Sequence, residues 1–278
     1  MTTEAATRTA TTATSGLPVR LDDLSVEFPA AGAPLQAVRG LSLDIPAGSL
    51  TVIIGPNGCG KSTLLRVIAG LVRPSHGRVL VGQEPARAPQ AGNGRVGLAF
   101  QQPRLMPWLS TLDNVALPLT LAGERPEEAR ERARSALERV GLADAAGARP
   151  SQLSGGMAQR AGLARALITD PPVLLLDEPF SALDALTREA FDGELQALWM
   201  YRPRTVVLVT HSVGEAIRMA DRIVVMTARP GSVARVIPVA LPRPRPAATA
   251  SRAADLDADV RAALAEVHPP ELTSWVDG

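Results

Sequence analysis

Eight consecutive residues, Gly55-Pro56-Asn57-Gly58-Cys59-Gly60-Lys61-Ser62, fit the spacing G-x-x-x-x-G-K-[ST] without a mismatch. A loop of this kind turns backbone N–H groups toward one point at a helix N-terminus. That arrangement suits the α- and β-phosphates of a nucleotide. Lys61 offers a compact ammonium to the β- and γ-phosphates, and Ser62 offers a hydroxyl to Mg²⁺. Thr63 follows directly and is counted with the cradle. Lys61 is the only lysine of the chain; the other 28 of the 29 basic residues are Arg. Drift toward Arg with one lysine left over would also give that count. The chemistry explains it better, because a planar guanidinium fork cannot replace an ammonium reaching between phosphates. The only cysteine, Cys59, lies in the same loop.

Two further sets bear on chemistry. Asp177-Glu178 follows the apolar run Val173-Leu174-Leu175-Leu176. One carboxylate could hold Mg²⁺ through water, and its neighbour could accept a proton from an attacking water. Acids are common in turns, so the pair gains its meaning from the phosphate loop. The Asn-Lys-x-Asp element of many GTPases needs a second lysine, so ATP is the expected nucleotide. Leu153-Ser154-Gly155-Gly156-Met157 places an N-capping serine at the start of a helix expected to run to about residue 168. Its exposed N–H groups could form a second anion site, although a plain capping turn would look the same.

These residues need elements to position them. The β-branched run at 50–54 reads as a buried parallel strand feeding the glycine loop. Leu64, Leu65, Ile68 and Leu71 have helical spacing and predict a helix over 62–71. Further strands are expected at 173–176 and 205–210, the second followed by His211. All three strands put polar residues at their C-terminal ends, where open parallel sheets bind ligands. Residues 95–169 read as a mostly helical insert. Residues 241–246 read as an extended linker. Leu256, Val260, Leu264 and Val267 mark a short amphipathic C-terminal helix of unknown role.

The bulk properties exclude several classes. At 278 residues and 46% apolar content, the chain is long enough for one sizeable α/β domain or for a core with a subdomain. A formal net charge of +1 gives no global field for nucleic acid or anionic membrane. No apolar run approaches the roughly 18–20 residues of a membrane span. Residues 1–16 are rich in Thr and Ala and lack the apolar core of a secretory signal, so they read as a disordered tail. The single cysteine suits a reducing compartment, and a cytoplasmic location is expected.

Taken together, the motifs resemble the ATP-binding subunit of ABC transporters over roughly residues 19–240. Leu153–Met157 is similar to the family signature LSGGQ, continued by Gln159-Arg160. Gln101, after Phe100, matches the Q-loop. Ser181-Ala182-Leu183-Asp184 matches the D-loop, and His211 the H-loop. The resemblance implies an α/β fold: a P-loop NTPase core with a mainly parallel sheet, an N-terminal antiparallel β part and a helical ABC-type insert. The cassette would span 17–240, with the linker and C-terminal helix in 241–278. It also implies a homodimer arranged head to tail. Each ATP would lie between one subunit's phosphate loop and Ser154, Gly155 and Gly156 of the other. Asp177, Ser62 and Gln101 would hold Mg²⁺. Glu178 would be the base, and Gln101 and His211 would contact the γ-phosphate. Phe28, the only aromatic before the loop, is the candidate for stacking on adenine and could equally be a core residue. Met157 in place of the signature Gln, and Ser212 in place of the acid common after the histidine, depart from the pattern.

The stretch from Gln101 to Leu109, Ala228-Arg229-Pro230-Gly231 and residues 241–245 are similar to importers for nitrate, sulfonates and taurine, and the run Asp177-Glu178-Pro179-Phe180-Ser181-Ala182-Leu183-Asp184 is similar to importers generally. The implied partners are integral membrane permease subunits, docking on a loop with exposed Met106 and Trp108, and indirectly a solute-binding protein. No nucleic acid is expected. The implied location is peripheral, on the cytoplasmic face of the cell membrane. A soluble ABC ATPase without a transport role and an exporter motor are the alternatives. The first is disfavoured because the chain lacks zinc cysteines, a second cassette and a basic patch.

Overall fold

The computed structural model describes residues 16–86, 94–179, 193, 195–196, 199–200, 203–243, 245 and 250–268. Most of the expected tail at 1–16, Phe180 and the D-loop match at 181–184 lie outside the described residues. Two sheets form the frame. The first is antiparallel, in the order β2 (Leu35–Ile45), β1 (Val19–Phe28), β4 (His76–Val81), β5 (Glu84–Pro85). The second has six strands, in the order β10 (Val233–Pro238), β9 (Arg222–Met226), β3 (Leu50–Ile54), β8 (Thr205–Val209), β7 (Val173–Asp177), β6 (Val96–Ala99). Within it β9, β3, β8, β7 and β6 run parallel, and β10 closes one edge antiparallel to β9.

Continuous apolar runs make this sheet. Every residue of β3, β7 and β8 is buried, as expected for strands covered on both faces. Alternation then divides their side chains between two cores. Ile53, Val173, Leu175, Val207 and Val209 join the antiparallel sheet and helix α1 (Lys61–Ile68). Val52, Ile54, Leu174, Leu176, Val206 and Leu208 face the short helix Val213–Met219 and the C-terminal helix Ala250–Val267. A third core lies among α2 (Thr111–Leu121), α3 (Pro126–Arg139) and α4 (Gly155–Leu167).

The segment read as a helical insert, 95–169, opens with β6, a strand of the main sheet. That strand is four residues long and interrupted by Gly97, so its pattern is faint in the sequence. Helices fill the segment from Thr111 onward. The C-terminal helix is part of the main body, with Val260 and Ala263 buried in the sheet's core. The expected linker leads to it and is partly described. Arg243 lies 4.2 Å above the Trp199 ring and 2.9 Å from Asp221. Arg245 donates to the carbonyls of Ile217 and Ala220, at the end of the helix Val213–Met219. Burial and the neighbouring Arg243 push its guanidinium down to about 10.

Candidate nucleotide site

Strand β3 delivers the glycine loop, and α1 leaves it. Gly60 caps α1 at φ 100, a left-handed conformation that favours glycine. A Cβ there would lie 2.9 Å from the Ala37 carbonyl oxygen, so β2 also leaves no room for a side chain. Lys61 is folded back onto its own loop. Its Nζ donates to the carbonyls of Gly55 at 2.8 Å and Pro56 at 2.9 Å, and lies 3.8 Å from Cys59 Sγ. The lysine is only 6% exposed and Cys59 only 1%. Burial pushes the Cys59 thiol up, and the Lys61 charge opposes that shift without cancelling it.

The register of the parallel sheet brings the remaining groups to this loop. Ile53 pairs with Val209, Val209 with Asp177, and Leu176 with Ala99. Four strand ends are therefore level, and the residues just beyond them meet at one edge. Ser62 Oγ donates to Asp177 Oδ1 at 2.9 Å. Burial raises the Asp177 carboxyl, while the Ser62 bond and the Arg66 charge pull the other way. Glu178 has φ 45, unusual for a residue with a side chain. Its N–H donates to the Val209 carbonyl at 2.9 Å, which extends the β7–β8 pairing through the bend. Its Oε2 accepts Gln101 Nε2–H at 2.8 Å and lies 3.6 Å from His211 Nδ1. Lys61, Ser62, Gln101, Asp177, Glu178 and His211 are thus drawn together from four places in the sequence.

The residues present fit Mg²⁺. Among the described residues there is no group of three His, Cys, Asp or Glu that could hold a metal. Mg²⁺ does not require one, since it keeps water and takes one or two protein oxygens beside substrate phosphates. Ser62 and Asp177 already hold two oxygens together. Gln101 commits its amide nitrogen to Glu178, which leaves the amide oxygen as an acceptor.

Ser154 caps α4, its Oγ accepting the Met157 N–H at 3.2 Å. Ser154 and Gly155 are exposed. The Met157 side chain packs on the core of the insert, so this departure from the signature is a core contact. Ser212 likewise caps its helix, accepting the Glu215 N–H at 3.3 Å. Thr210 Oγ1 donates to the buried Glu215 Oε2 at 2.6 Å and accepts the Ser212 N–H at 3.0 Å. These bonds secure both neighbours of His211. Phe28 is partly buried against the core beneath the antiparallel sheet.

Sequence reasoning missed the residues that hold the loop after Gln101. Arg165 of α4 donates to the carbonyls of Pro103 at 2.6 Å and Arg104 at 2.9 Å. Asn114 of α2 is fully buried. It accepts the Met106 N–H at 2.7 Å and donates to the carbonyls of Met106, Leu109 and Ser110. A lone amide on the apolar face of α2 was the available signal. Trp108, carried by the loop that Asn114 fastens, is 69% exposed. Beside it a cleft of about 690 Å³ is lined by Leu71, Phe100, Met106, Leu117 and Leu121 among others.

Comparison with known proteins places the chain in a family. The ABC transporter family matches residues 38–181. The chain is 48% identical over 215 residues to the aliphatic sulfonates import ATP-binding protein SsuB 1 of Mesorhizobium japonicum, covering 77% of this chain and 78% of that protein. It is 45% identical over 216 residues to the taurine import ATP-binding protein TauB of Pseudomonas aeruginosa, covering 78% and 81%. Its fold is similar to the dimeric structure of an ATP-binding cassette in a post-hydrolysis state bound to ADP and Pi. The TM-score there is 0.73 at 34% identity, over 80% of this chain and 98% of that one. The chain belongs to the ABC transporter family, as one of its ATP-hydrolysing ATP-binding subunits.

Proposed function

We propose that the chain is the motor subunit of an ABC importer, working as a head-to-tail pair whose ATP-driven closure moves a solute through membrane subunits. One observation carries the reading. The candidate hydrolytic residues converge at one sheet edge, while the capped N-terminus of α4 is exposed to solvent at Ser154 and Gly155. A second copy's nucleotide fits that end by charge, since a helix N-terminus attracts phosphate. The names of the sulfonate and taurine import proteins above support import, and a sulfonate- or taurine-like solute, nitrate being the next of that class.

In this mechanism residues 55–63 cradle the triphosphate, and Phe28 stacks on adenine. Lys61 exchanges the Gly55 and Pro56 carbonyls for phosphate oxygens. Bound Mg²⁺ supplies neutralisation of phosphate charge, and Ser62, Asp177 and Gln101 are the residues that would hold it. Glu178 takes the proton of the attacking water. Gln101 and His211, both beside Glu178, orient that water and contact the γ-phosphate. The Q-loop reports upward, because Arg165 and Asn114 connect it to α4 and to the Trp108 loop. Exposed Leu71, Trp108 and Leu121 give that surface the apolar character of a permease contact. No helix among the described residues is long and apolar enough to cross a membrane, so membrane attachment would come through that docking.

Mixing two dead variants tests the head-to-tail pair. Lys61→Ala and Ser154→Arg should each abolish hydrolysis. Their mixture should recover roughly a quarter of wild-type activity, because half the pairs are mixed and each mixed pair has one intact site. A mixture as inactive as its parts would refute the shared site.

A further inference from the structure

Arg229 sits beside the phosphate loop and takes no part in the chemistry assigned so far. It lies in the turn between β9 and β10. Its Nε donates to the Gly58 carbonyl at 3.1 Å. Its Nη2 is close enough that a Cβ at Gly58 would fall 2.8 Å away. The turn is itself held on the other side. Gly231 N–H donates to the Ala37 carbonyl at 3.0 Å, and its carbonyl accepts the Arg39 N–H at 3.0 Å. Only glycine fits there, because a Cβ on Gly231 would fall 1.9 Å from the Cys59 carbonyl oxygen. Within the turn, Thr227 Oγ1 accepts the Ser232 N–H at 2.9 Å. The turn therefore bridges β2 and the phosphate loop and presents a guanidinium to the loop.

Two cations hold three of the loop's carbonyls. Lys61 takes those of Gly55 and Pro56, and Arg229 takes that of Gly58. Lys61 is the one required by phosphate, so its two bonds end when nucleotide arrives. The Arg229 bond involves no group that the nucleotide needs. A loop whose N–H groups converge on an anion must keep its carbonyls turned elsewhere. A guanidinium on the Gly58 carbonyl meets that need and leaves a fixed positive charge beside a polyanion.

We propose that Arg229 is a positioning residue of the nucleotide site: it keeps the phosphate loop in its receptive shape when Lys61 leaves the loop's carbonyls, and so sets affinity for nucleoside di- and triphosphates without taking part in hydrolysis. The proposal rests on the reading of Gly55–Ser62 as the phosphate cradle.

The test uses the full chain with Arg229→Gln and Arg229→Lys. Steady-state hydrolysis gives KM and kcat for ATP, calorimetry gives ADP affinity, and thermal melting follows the fold. Arg229→Gln should raise KM for ATP about 5- to 30-fold, the range expected for one charge-assisted bond at an exposed position. kcat at saturation should stay within about two-fold of wild type, since no hydrolytic group is touched. ADP should weaken in parallel, and the gap should narrow as salt rises, because Arg229 is exposed. Arg229→Lys keeps the charge and should recover part of the loss. Unchanged KM in Arg229→Gln overturns the proposal. So does a fall in kcat at constant KM, or an Arg229→Lys variant no better than Arg229→Gln. An Arg229→Gln chain that melts far below wild type, with Arg229→Lys melting low as well, assigns Arg229 to stability and overturns it too. A wild-type chain without ATP affinity would remove the phosphate-cradle reading itself.

Discussion

Replacing Glu178 with glutamine is the most direct probe of the hydrolytic assignment. The side chain keeps its length and its place after β7. Its amide oxygen can still accept the Gln101 Nε2–H that now lies 2.8 Å from Oε2. The N–H bond to the Val209 carbonyl is a backbone bond and is kept. Folding stability should therefore change by less than about 1 kcal/mol, the net worth of one such hydrogen bond. What is lost is the capacity to accept a proton. General-base catalysis contributes roughly 100- to 10 000-fold, so hydrolysis should fall by that factor. At about 1.36 kcal/mol per decade this is a rise of about 2.7–5.4 kcal/mol in the barrier. Lys61, Ser62 and the backbone cradle are untouched, so ATP affinity should hold, and an ATP-bound pair should persist longer. Phosphate release from the purified chain measures the rate. Size-exclusion chromatography with and without ATP follows the pair. Hydrolysis within about three-fold of wild type, in a variant that binds ATP and melts normally, would show that Glu178 is not the base.

Two further expectations concern the surface and the loop. Trp108→Glu should leave melting and basal hydrolysis of the isolated chain unchanged, because the ring is 69% exposed, yet weaken co-purification with membrane subunits and abolish uptake. Collapse of the isolated fold would instead make Trp108 a core residue. Chemical labelling should find Lys61 and Cys59 slow, even without nucleotide. Lys61 is 6% exposed and bonded to two carbonyls, while Cys59 is 1% exposed with a thiol raised by burial and so short of thiolate. Mg-ATP should protect Lys61 further. Mass spectrometry of labelled peptides over time decides it, and rapid Cys59 modification in the folded chain would contradict the buried loop.

Much of the phosphate site is legible because it is contiguous. Strand, glycine loop and helix follow one another within residues 50–68, and each element's signal is local. Ser154 could be read as a cap for the same reason, since its bond to Met157 spans three residues. The carboxylate pair and His211 could be located at strand ends. That Glu178 meets Gln101 rests on a bond between residues 77 apart, which no local pattern encodes. Asn114 and Arg165 escaped notice because their bonds reach backbone carbonyls of a neighbouring loop, and a carbonyl leaves no trace in residue type. The faint strand β6 was missed because four residues carry too little periodicity.

The sequence by itself determined the chemistry available to this protein: a candidate nucleotide cradle, a carboxylate pair after a buried strand, and a capped helix end. Residue type and short spacing encode those, because they depend on backbone shape over a few residues. The tertiary structure decided which groups act on which. The sheet order β9-β3-β8-β7-β6 sets the phosphate loop, Glu178, His211 and Gln101 at one edge. The antiparallel strand β10 folds the preceding turn back and carries Arg229 to Gly58, 171 residues earlier in the chain. Strand order is settled by how two apolar faces are buried at once, a property of the whole chain that no local stretch contains.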